Sequence, residues 1–191
     1  GVLSGSEAVQ TLLTHRNLDV RRAGANLLTP LGEQGVTLAI SALNDEDSVV
    51  QRKAARALLL VNDISVPERL AQHESDAIRT TGMNHPALDE SALRKGLGDA
   101  HEGVRLAALN SALKRNIALN LDDLIPFLEA GHHTVNILIW AAEHEPTQLE
   151  RLMQHIKAKD VKALGDHLRA TVDDHANPLI QHLLNGGMLE P

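Results

Sequence analysis

One segment of the chain, Asp99 to Arg115, has counterparts about every thirty residues, and this repetition constrains the fold more than any other feature. Each counterpart has an acidic or polar turn, a branched apolar residue, usually an arginine, and then small residues. The branched apolar residues, which we call anchors, are Val20, Val50, Ile78, Val104 and Val135. Successive anchors are 26 to 31 residues apart. Self-similarity at such a period is typical of stacked-repeat proteins, which need no single compact core.

Apolar residues before each anchor indicate that every repeat contains a second helix. The positions seven, eight and eleven before the anchor are mostly apolar, which is the spacing of one helix face. In the first repeat these residues are Leu13, Leu12 and Val9. Small residues after the anchor, such as Gly24 and Gly82, would bring the second helix close to its neighbours. Each repeat is therefore predicted to be a pair of helices.

Two segments carry a family resemblance: Asp45 to Leu59 (DEDSVVQRKAARALL) and Asp99 to Leu113 (DAHEGVRLAALNSAL) resemble HEAT repeats in the short form found in phycobilisome lyases. The resemblance covers residues 6–144. It implies an all-α fold, an α-solenoid of about five to six antiparallel helix pairs. The third repeat departs from the pattern, because Pro67 lies in its first-helix region and Pro86 soon after its second helix. That second helix is expected to be short.

The pattern changes near residue 147. Residues 1–146 are predicted to form five HEAT-like repeats, and residues 147–191 a diverged sixth repeat with a C-terminal helical cap, in one continuous solenoid domain. The cap includes a segment from Asn177 to Asn185 with Pro178 at its start, where proline suits a helix. Because the chain begins with Gly1 and shows no signal peptide or apolar span, we expect a cytoplasmic fragment of a longer protein or a trimmed chain.

Composition argues against several function classes. The net charge of −7 and the pI near 5.8 disfavour non-specific nucleic-acid binding, which needs a cationic surface. The absence of cysteine excludes disulfides and thiolate metal sites. The two aromatic residues, Phe127 and Trp140, lie at helical packing positions, so we expect them in the core. The alternative is a local pocket that anchors a partner.

Arginines that directly follow the anchors form the first group of candidate residues. Arg21, Arg79 and Arg105 hold this position, and Asp45 and Asp99 lie five residues before their anchors. The resemblance implies that such arginines bridge the turn acids of adjacent repeats. We call these five residues the turn ladder and predict a structural role, because a nearly buried guanidinium group favours a carboxylate partner. A ligand-binding role is the alternative.

A second group defines the candidate binding surface. Arg22 and Arg52 lie two residues after their anchors. Four further residues, Asn26, Arg56, Asn84 and Asn110, lie six residues after an anchor, which is about one helical turn further along the same side of the helix. This second-helix surface comprises Arg22, Asn26, Arg52, Arg56, Asn84 and Asn110. In the family, second helices line the concave surface. Guanidinium forks and amides suit carboxylates or peptide backbone, whereas the simpler interpretation is a solvated helix face.

The eleven histidines raise the question of a metal site. His73, His101 and His144 each precede Glu, and a HEAT-like iron hydroxylase has His-Glu pairs just past the anchor. In this chain the residues two after the anchors are Arg22, Arg52, Thr80, Leu106 and Ile137. His101, His132 and His133 lie near the turns, where a loose metal site is an alternative to polar turn residues that titrate near neutrality. We predict no catalytic residue, cofactor or metal.

These observations favour a protein–protein interaction scaffold that is not an enzyme. Its predicted partner is another protein, with no role for nucleic acid or membrane. One alternative is a HEAT-like enzyme component, either bilin lyase-like or metal-dependent. Another is a DNA-binding role like that of HEAT-like glycosylases, which the acidic charge disfavours. A third is a structural segment whose ends contact flanking repeats of a longer chain.

Overall fold

The computed structural model describes residues 4–171 and residue 179, and this part of the chain is all-α, with no strand. The helices are α1 Gly5–Leu13, α2 Leu18–Asn26, α3 Leu28–Leu31, α4 Val36–Ala42, α5 Ser48–Leu58, α6 Val66–Ala71, α7 Asp76–Met83, α8 Glu90–Gly96, α9 Glu102–Lys114, α10 Leu121–Ala130, α11 Thr134–His144, α12 Leu149–Met153 and α13 Ala158–Thr171. Apart from Leu179, the predicted cap segment Asn177 to Asn185 lies outside the described residues. Within the described residues, no helix is long and apolar enough to cross a membrane.

The predicted pairing of helices is confirmed. The five anchors lie in α2, α5, α7, α9 and α11, and the apolar positions before them lie in or directly after α1, α4, α6, α8 and α10. Helix α1 packs on α2, α4 on α5, α6 on α7, and α10 on α11. The second helices of the first three repeats also contact one another in chain order, α2 with α5 and α5 with α7. Helix α7 has 8 residues and is the shortest second helix, as its prolines predicted.

The chain divides into two compact units, Gly1–Ser111 and Ala112–Pro191, which we call the N-terminal and C-terminal units. The boundary falls within α9, whereas the sequence pattern changes near residue 147. In the N-terminal unit the anchors Val50, Ile78 and Val104 are completely buried, and the first anchor, Val20, is half-buried. The repeated branched residue therefore belongs to the core, with less cover in the first repeat.

In the C-terminal unit, the buried residue at the start of the second helix is not the expected fifth anchor. Val135 is half-buried, and the preceding residue, Thr134, is buried instead. The turn before α11 contains Gly131 and His133 in left-handed conformations, with φ of 78° and 53°. Helix α11 begins directly after His133. The predicted core role of Trp140 is confirmed, because it is buried and its Nε1 donates a hydrogen bond to the Ile117 oxygen at 3.1 Å.

Small residues bring paired helices of the N-terminal unit into close contact, as predicted. A Cβ atom added at Gly24 of α2 would lie 2.8 Å from the Leu12 Cβ of α1. One added at Gly96 of α8 would lie 2.9 Å from the Ala108 Cβ of α9. Because such distances are shorter than van der Waals contact, these glycines set the separation of the helix pairs.

Polar residues three positions before the anchors start the second helices. Asn17 Oδ1 accepts a hydrogen bond from the Asp19 N–H at 2.8 Å, and Asp47 Oδ1 accepts from the Val49 and Val50 N–H groups, each at 3.1 Å. Both side chains therefore cap their helices. Ser75 holds the same position before α7 but, among the described residues, its side chain forms no capping hydrogen bond.

Candidate functional site

The turn ladder joins the first two repeats through Arg21. Its Nε donates to Asp45 Oδ2 at 3.0 Å, and its Nη2 donates to Glu46 Oε1 at 2.8 Å. Its Nη1 donates to the backbone oxygens of His15 and Arg16, at 3.2 and 3.3 Å. These oxygens belong to the turn between α1 and α2. One guanidinium group therefore closes the turn of its own repeat and pairs with the acid of the next, and the predicted Arg21–Asp45 bridge is confirmed.

The same arrangement recurs between the third and fourth repeats. Arg79 Nε and Nη2 donate to Asp99 Oδ2 and Oδ1 at 2.8 and 3.0 Å, and Nη1 donates to the oxygens of His73 and Glu74. Both side chains of the ion pair are mostly buried. The hydrogen bonds from Arg79 lower the pKa of Asp99 below its ordinary value, although desolvation acts in the opposite direction. The predicted Arg79–Asp99 bridge is confirmed.

Arg105 forms only half of the predicted arrangement. Its Nη1 donates to the oxygens of Asp99 and Ala100, at 2.8 and 3.0 Å, and so closes the turn of its own repeat. No ion pair joins it to any residue that the structure describes. The sequence explains the difference, because the position five before the next anchor is Ala130 rather than an acid. The prediction that Arg105 bridges to a neighbouring acid was wrong.

The sequence interpretation missed the residues that replace this ladder between the second and third repeats. Gln51 stands where the first, third and fourth repeats have arginine, and its Nε2 donates to the Asp45 oxygen at 2.7 Å. His73 stands where Asp45 and Asp99 lie, and its Nδ1 accepts from the Ser75 N–H at 3.0 Å. At these junctions an arginine after one anchor occurs with an acid five residues before the next anchor, whereas glutamine after an anchor occurs with histidine at that position. Comparing each residue after an anchor with the turn residue of the next repeat would have revealed this pattern.

On the second-helix surface, Arg22 is already engaged within the chain. Its Nε and Nη2 donate to Asp47 Oδ1 and Oδ2 at 3.1 and 2.8 Å. Mainly through the hydrogen bonds from Arg22, and through those from Val50 and Val49, the pKa of Asp47 is lowered to about 2. Replacing Arg22 by glutamate would place two carboxylates together at the start of α5. Such a variant tests the fold as well as binding, so Arg22 is unsuited to probing a partner.

Arg52 and Arg56 differ from Arg22 because neither is neutralised. Both are exposed and lie one turn apart on α5. Arg52 Nη1 donates to Ser48 Oγ of its own helix at 3.2 Å. Among the described residues, no carboxylate forms an ion pair with either guanidinium group. Of the three predicted arginines, these two therefore remain available to a ligand.

The three asparagines of the second-helix surface lie on neighbouring helices. Asn26 ends α2 and is exposed. Asn84 directly follows α7, is exposed, and donates from Nδ2 to the Thr80 oxygen at 2.9 Å. Asn110 of α9 is half-buried. Because α2 and α7 both contact α5, the exposed amides of Asn26 and Asn84 belong to the helices on either side of the arginine pair.

The turn histidines make local contacts. His101 Nε2 lies 3.2 Å from Asp76 Oδ2, and both side chains are about half exposed. In the C-terminal unit, burial lowers the pKa of His133, and the neighbouring His132 lowers it further. In the described part of the chain, no three His, Cys, Asp or Glu side chains form a group that could hold a metal ion. These residues therefore provide no geometry for a metal site.

A cleft of about 480 Å³ with mixed polar and apolar walls lies on the first-helix side of the N-terminal unit, between α1 and α4. Hydroxyl and amide side chains make up much of its wall, including Gln10, Thr14, Thr37, Ser41 and Asn44. Of the residues in the turn ladder and the second-helix surface, only Asp45 reaches it, and that carboxylate is paired with Arg21. The cleft is therefore separate from the second-helix surface.

Comparison with solved structures supports the all-α fold. The chain is similar to an engineered protein whose crystal structure was determined by the Northeast Structural Genomics Consortium, with a TM-score of 0.51 and 16% sequence identity. The similarity covers 96% of this chain and 98% of the engineered protein. No protein-family model matches the chain, and no curated protein matches it. At this identity the likeness concerns the fold alone.

Proposed function

We propose that the protein is an interaction module whose N-terminal unit binds another protein through the second-helix surface. The observation that carries this proposal is the state of Arg52 and Arg56, two exposed guanidinium groups one turn apart with no carboxylate partner among the described residues. Like charges four residues apart destabilise a helix, and no carboxylate among the described residues pairs with either arginine to offset this repulsion. A partner that supplies acidic groups would offset it.

The arrangement of the helices supports the same proposal. Helices α2, α5 and α7 contact one another in chain order, which is what an α-solenoid of HEAT type requires of its second helices. Each added repeat then extends one continuous surface, and a partner gains contacts from several helices at once. The net charge of the whole chain, −7, favours a protein over nucleic acid as the partner.

Site-specific cross-linking tests the proposal, because the chain contains no cysteine and accepts a single labelled one. We would attach a photo-activated cross-linker to Asn84→Cys on the second-helix surface, and to Thr37→Cys, an exposed position on α4, as the matched control. In lysate from the source cell, a partner should cross-link to residue 84 and not to residue 37. Equal cross-linking at both positions, or none at residue 84, would contradict the proposed surface.

A further inference from the structure

We propose that Arg52 and Arg56 bind an extended acidic segment of the partner, with carboxylates on alternate residues facing the two guanidinium groups. This inference rests on the proposed function and adds the chemistry of the ligand to it. It follows from a comparison of Arg52 with Arg22, from the charges around α5, and from the spacing of the two arginines.

The comparison with Arg22 shows what Arg52 lacks. Both residues lie two positions after an anchor, on α2 and α5. Arg22 forms a bidentate ion pair with Asp47, which lies three positions before the next anchor. At the corresponding position of the following repeat the residue is Ser75, which offers a hydroxyl group and no negative charge. Arg52 thus repeats the position of Arg22, but Ser75 replaces the acid there, and no ion pair joins Arg52 to Glu74, Asp76 or any other described carboxylate.

Charges around α5 favour an anionic ligand. The sequence RKAAR places Arg52, Lys53 and Arg56 within five residues. Lys53 Nζ donates to the Arg22 oxygen at 3.4 Å, so this ammonium group contacts α2. Asp47, the acid that caps α5, has its two oxygens engaged by Arg22. In a chain with a net charge of −7, α5 therefore presents a local positive surface, to which an acidic segment is complementary.

The spacing of the arginines fits alternate residues of an extended peptide. Side chains four residues apart on a helix have Cβ atoms roughly 5–6 Å apart. Alternate side chains of an extended chain project from one face about 6.6 Å apart, a difference that flexible arginine side chains accommodate. A helical ligand would instead need an apolar groove. Among the described residues the exposed large apolar side chains are Leu27, Leu60, Ile64 and Val161, and none belongs to α5 or α7.

The test measures binding of short labelled peptides by fluorescence anisotropy. The probe is fluorescein-labelled GSGEGEGSG, compared with GSGQGQGSG, which lacks the charges, and with GSGEEGGSG, whose glutamates are adjacent and point to opposite faces when extended. We expect the first peptide to bind about four- to twenty-five-fold more tightly than GSGQGQGSG, which loses two ion pairs, and about two- to fivefold more tightly than GSGEEGGSG, which loses one, since each exposed ion pair contributes a factor of about two to five. Equal binding of the first two peptides would overturn the proposal.

Matched variants separate these two arginines from overall charge. Arg52→Gln/Arg56→Gln should reduce binding of GSGEGEGSG by about tenfold. Arg16→Gln/Arg69→Gln removes two other exposed arginines, one in the α1–α2 turn and one on α6. This variant has the same net charge as Arg52→Gln/Arg56→Gln. This control should bind like the unmodified chain. If both double variants lose binding equally, the effect is one of net charge and the proposal is wrong.

Two further outcomes distinguish the ligand class from the proposed function. Oligodeoxythymidylate of nine residues should bind more weakly than GSGEGEGSG, and equally tight, Arg52-dependent binding of this oligonucleotide would show a general anion site instead of an acidic-peptide site. If residue 84 cross-links a partner while GSGEGEGSG fails to bind, the interaction module stands and the acidic-ligand inference falls.

Discussion

Gly82 of α7 lies against the backbone of Ala71 at the end of α6, so closely that a Cβ atom at residue 82 would come within 2.5 Å of the Ala71 nitrogen. The carbonyl carbon of Leu70, at 2.7 Å, is also backbone, and neither atom can move aside as a flexible side chain would. The α6–α7 pair is therefore held at a separation that only glycine permits.

Gly82→Ala should destabilise the protein, because the added methyl group forces α6 and α7 apart. Overpacking of this kind costs about 1–3 kcal/mol in the free energy of unfolding. Urea denaturation followed by circular dichroism measures the change. The matched control is Gly103→Ala, an exposed position in the first turn of α9 whose nearest atom would lie 3.6 Å away. There alanine should be neutral or stabilising, since it favours the helix. Equal effects at the two glycines would contradict the packing argument.

The helix pairs were accessible from the sequence because the pattern that predicts them repeats. Each anchor predicted a second helix, and the apolar spacing before it predicted a first helix, so α1 with α2 and the eight helices from α4 to α11 were expected in pairs, whereas the short α3 was not. The register of the fifth repeat was not accessible. The turn before α11 has left-handed backbone at Gly131 and His133, and histidine is an uncommon residue at positive φ. The residue types alone do not predict that Thr134 is buried while Val135 is only half-buried.

The turn ladder predicts energetic coupling between specific pairs. Arg79→Gln leaves the carboxylate of Asp99 without its main partner, and Asp99→His leaves the guanidinium group without its acceptor. The double variant reproduces the Gln51 and His73 combination found at another junction. The double variant should therefore lose less stability than the sum of the single variants, with a coupling energy on the order of 1 kcal/mol by urea denaturation.

A second double-mutant cycle provides the control for this coupling. Arg79→Gln combined with Asp45→His changes the same residue types at two different junctions. These two effects should add, because Asp45 pairs with Arg21 and makes no contact with Arg79. Additivity in both cycles would show that arginine and acid act independently, contrary to the ladder.

The candidate site was only partly accessible from the sequence, because Arg22 and Arg52 look alike within their own repeats. They differ in the residue that the next repeat provides. Asp47 forms an ion pair with Arg22, whereas Ser75, at the corresponding position for Arg52, is uncharged. Position within a helix predicts which side a residue faces. Whether an arginine already forms an ion pair depends on the residues of the neighbouring repeat. The structure was needed to decide this, because it shows how successive turns pack.

The Arg22–Asp47 pair predicts a measurable change in pKa. Arg22→Gln should raise the pKa of Asp47 from about 2 toward its ordinary 3.8, while the Val49 and Val50 N–H groups keep it somewhat below that value. Because the pKa is lower in the folded state, the pair stabilises the fold above about pH 3.8, and this stabilisation is lost as the pH falls toward 2. Carboxyl NMR titration of Asp47 measures the shift.

Arg52→Gln is the matched control for this titration. Arg52 holds the same position one repeat later and, among the described residues, its side chain hydrogen-bonds to Ser48 and not to Asp47, so the pKa of Asp47 should stay at about 2 in this variant. A pKa that stays at about 2 in Arg22→Gln as well would show that the backbone N–H groups, and not the guanidinium group, hold the carboxylate ionised.

His85, in the loop between α7 and α8, is the most buried histidine described, with 2% of its surface exposed. Its Nδ1 accepts a hydrogen bond from the Ala87 N–H at 3.1 Å, so a proton can enter at Nδ1 only if this bond breaks. Within the described residues its Nε2 forms no hydrogen bond. Burial lowers the pKa of His85, and the nearby Leu58 carbonyl opposes this without meeting hydrogen-bond geometry.

The lowered pKa of His85 predicts that acid weakens the fold. A histidine whose folded pKa lies below its ordinary 6.5 destabilises the native state as the pH falls through 6.5, because the unfolded chain takes up the proton first. His85→Asn keeps an acceptor for the Ala87 N–H and does not titrate, so urea denaturation from pH 7.5 to 5 should show a shallower loss of stability. His15→Asn is the control, since exposed His15 makes the same contact with the Asn17 N–H. It should follow the unmodified chain, and parallel pH profiles for all three proteins would exclude His85 as the cause.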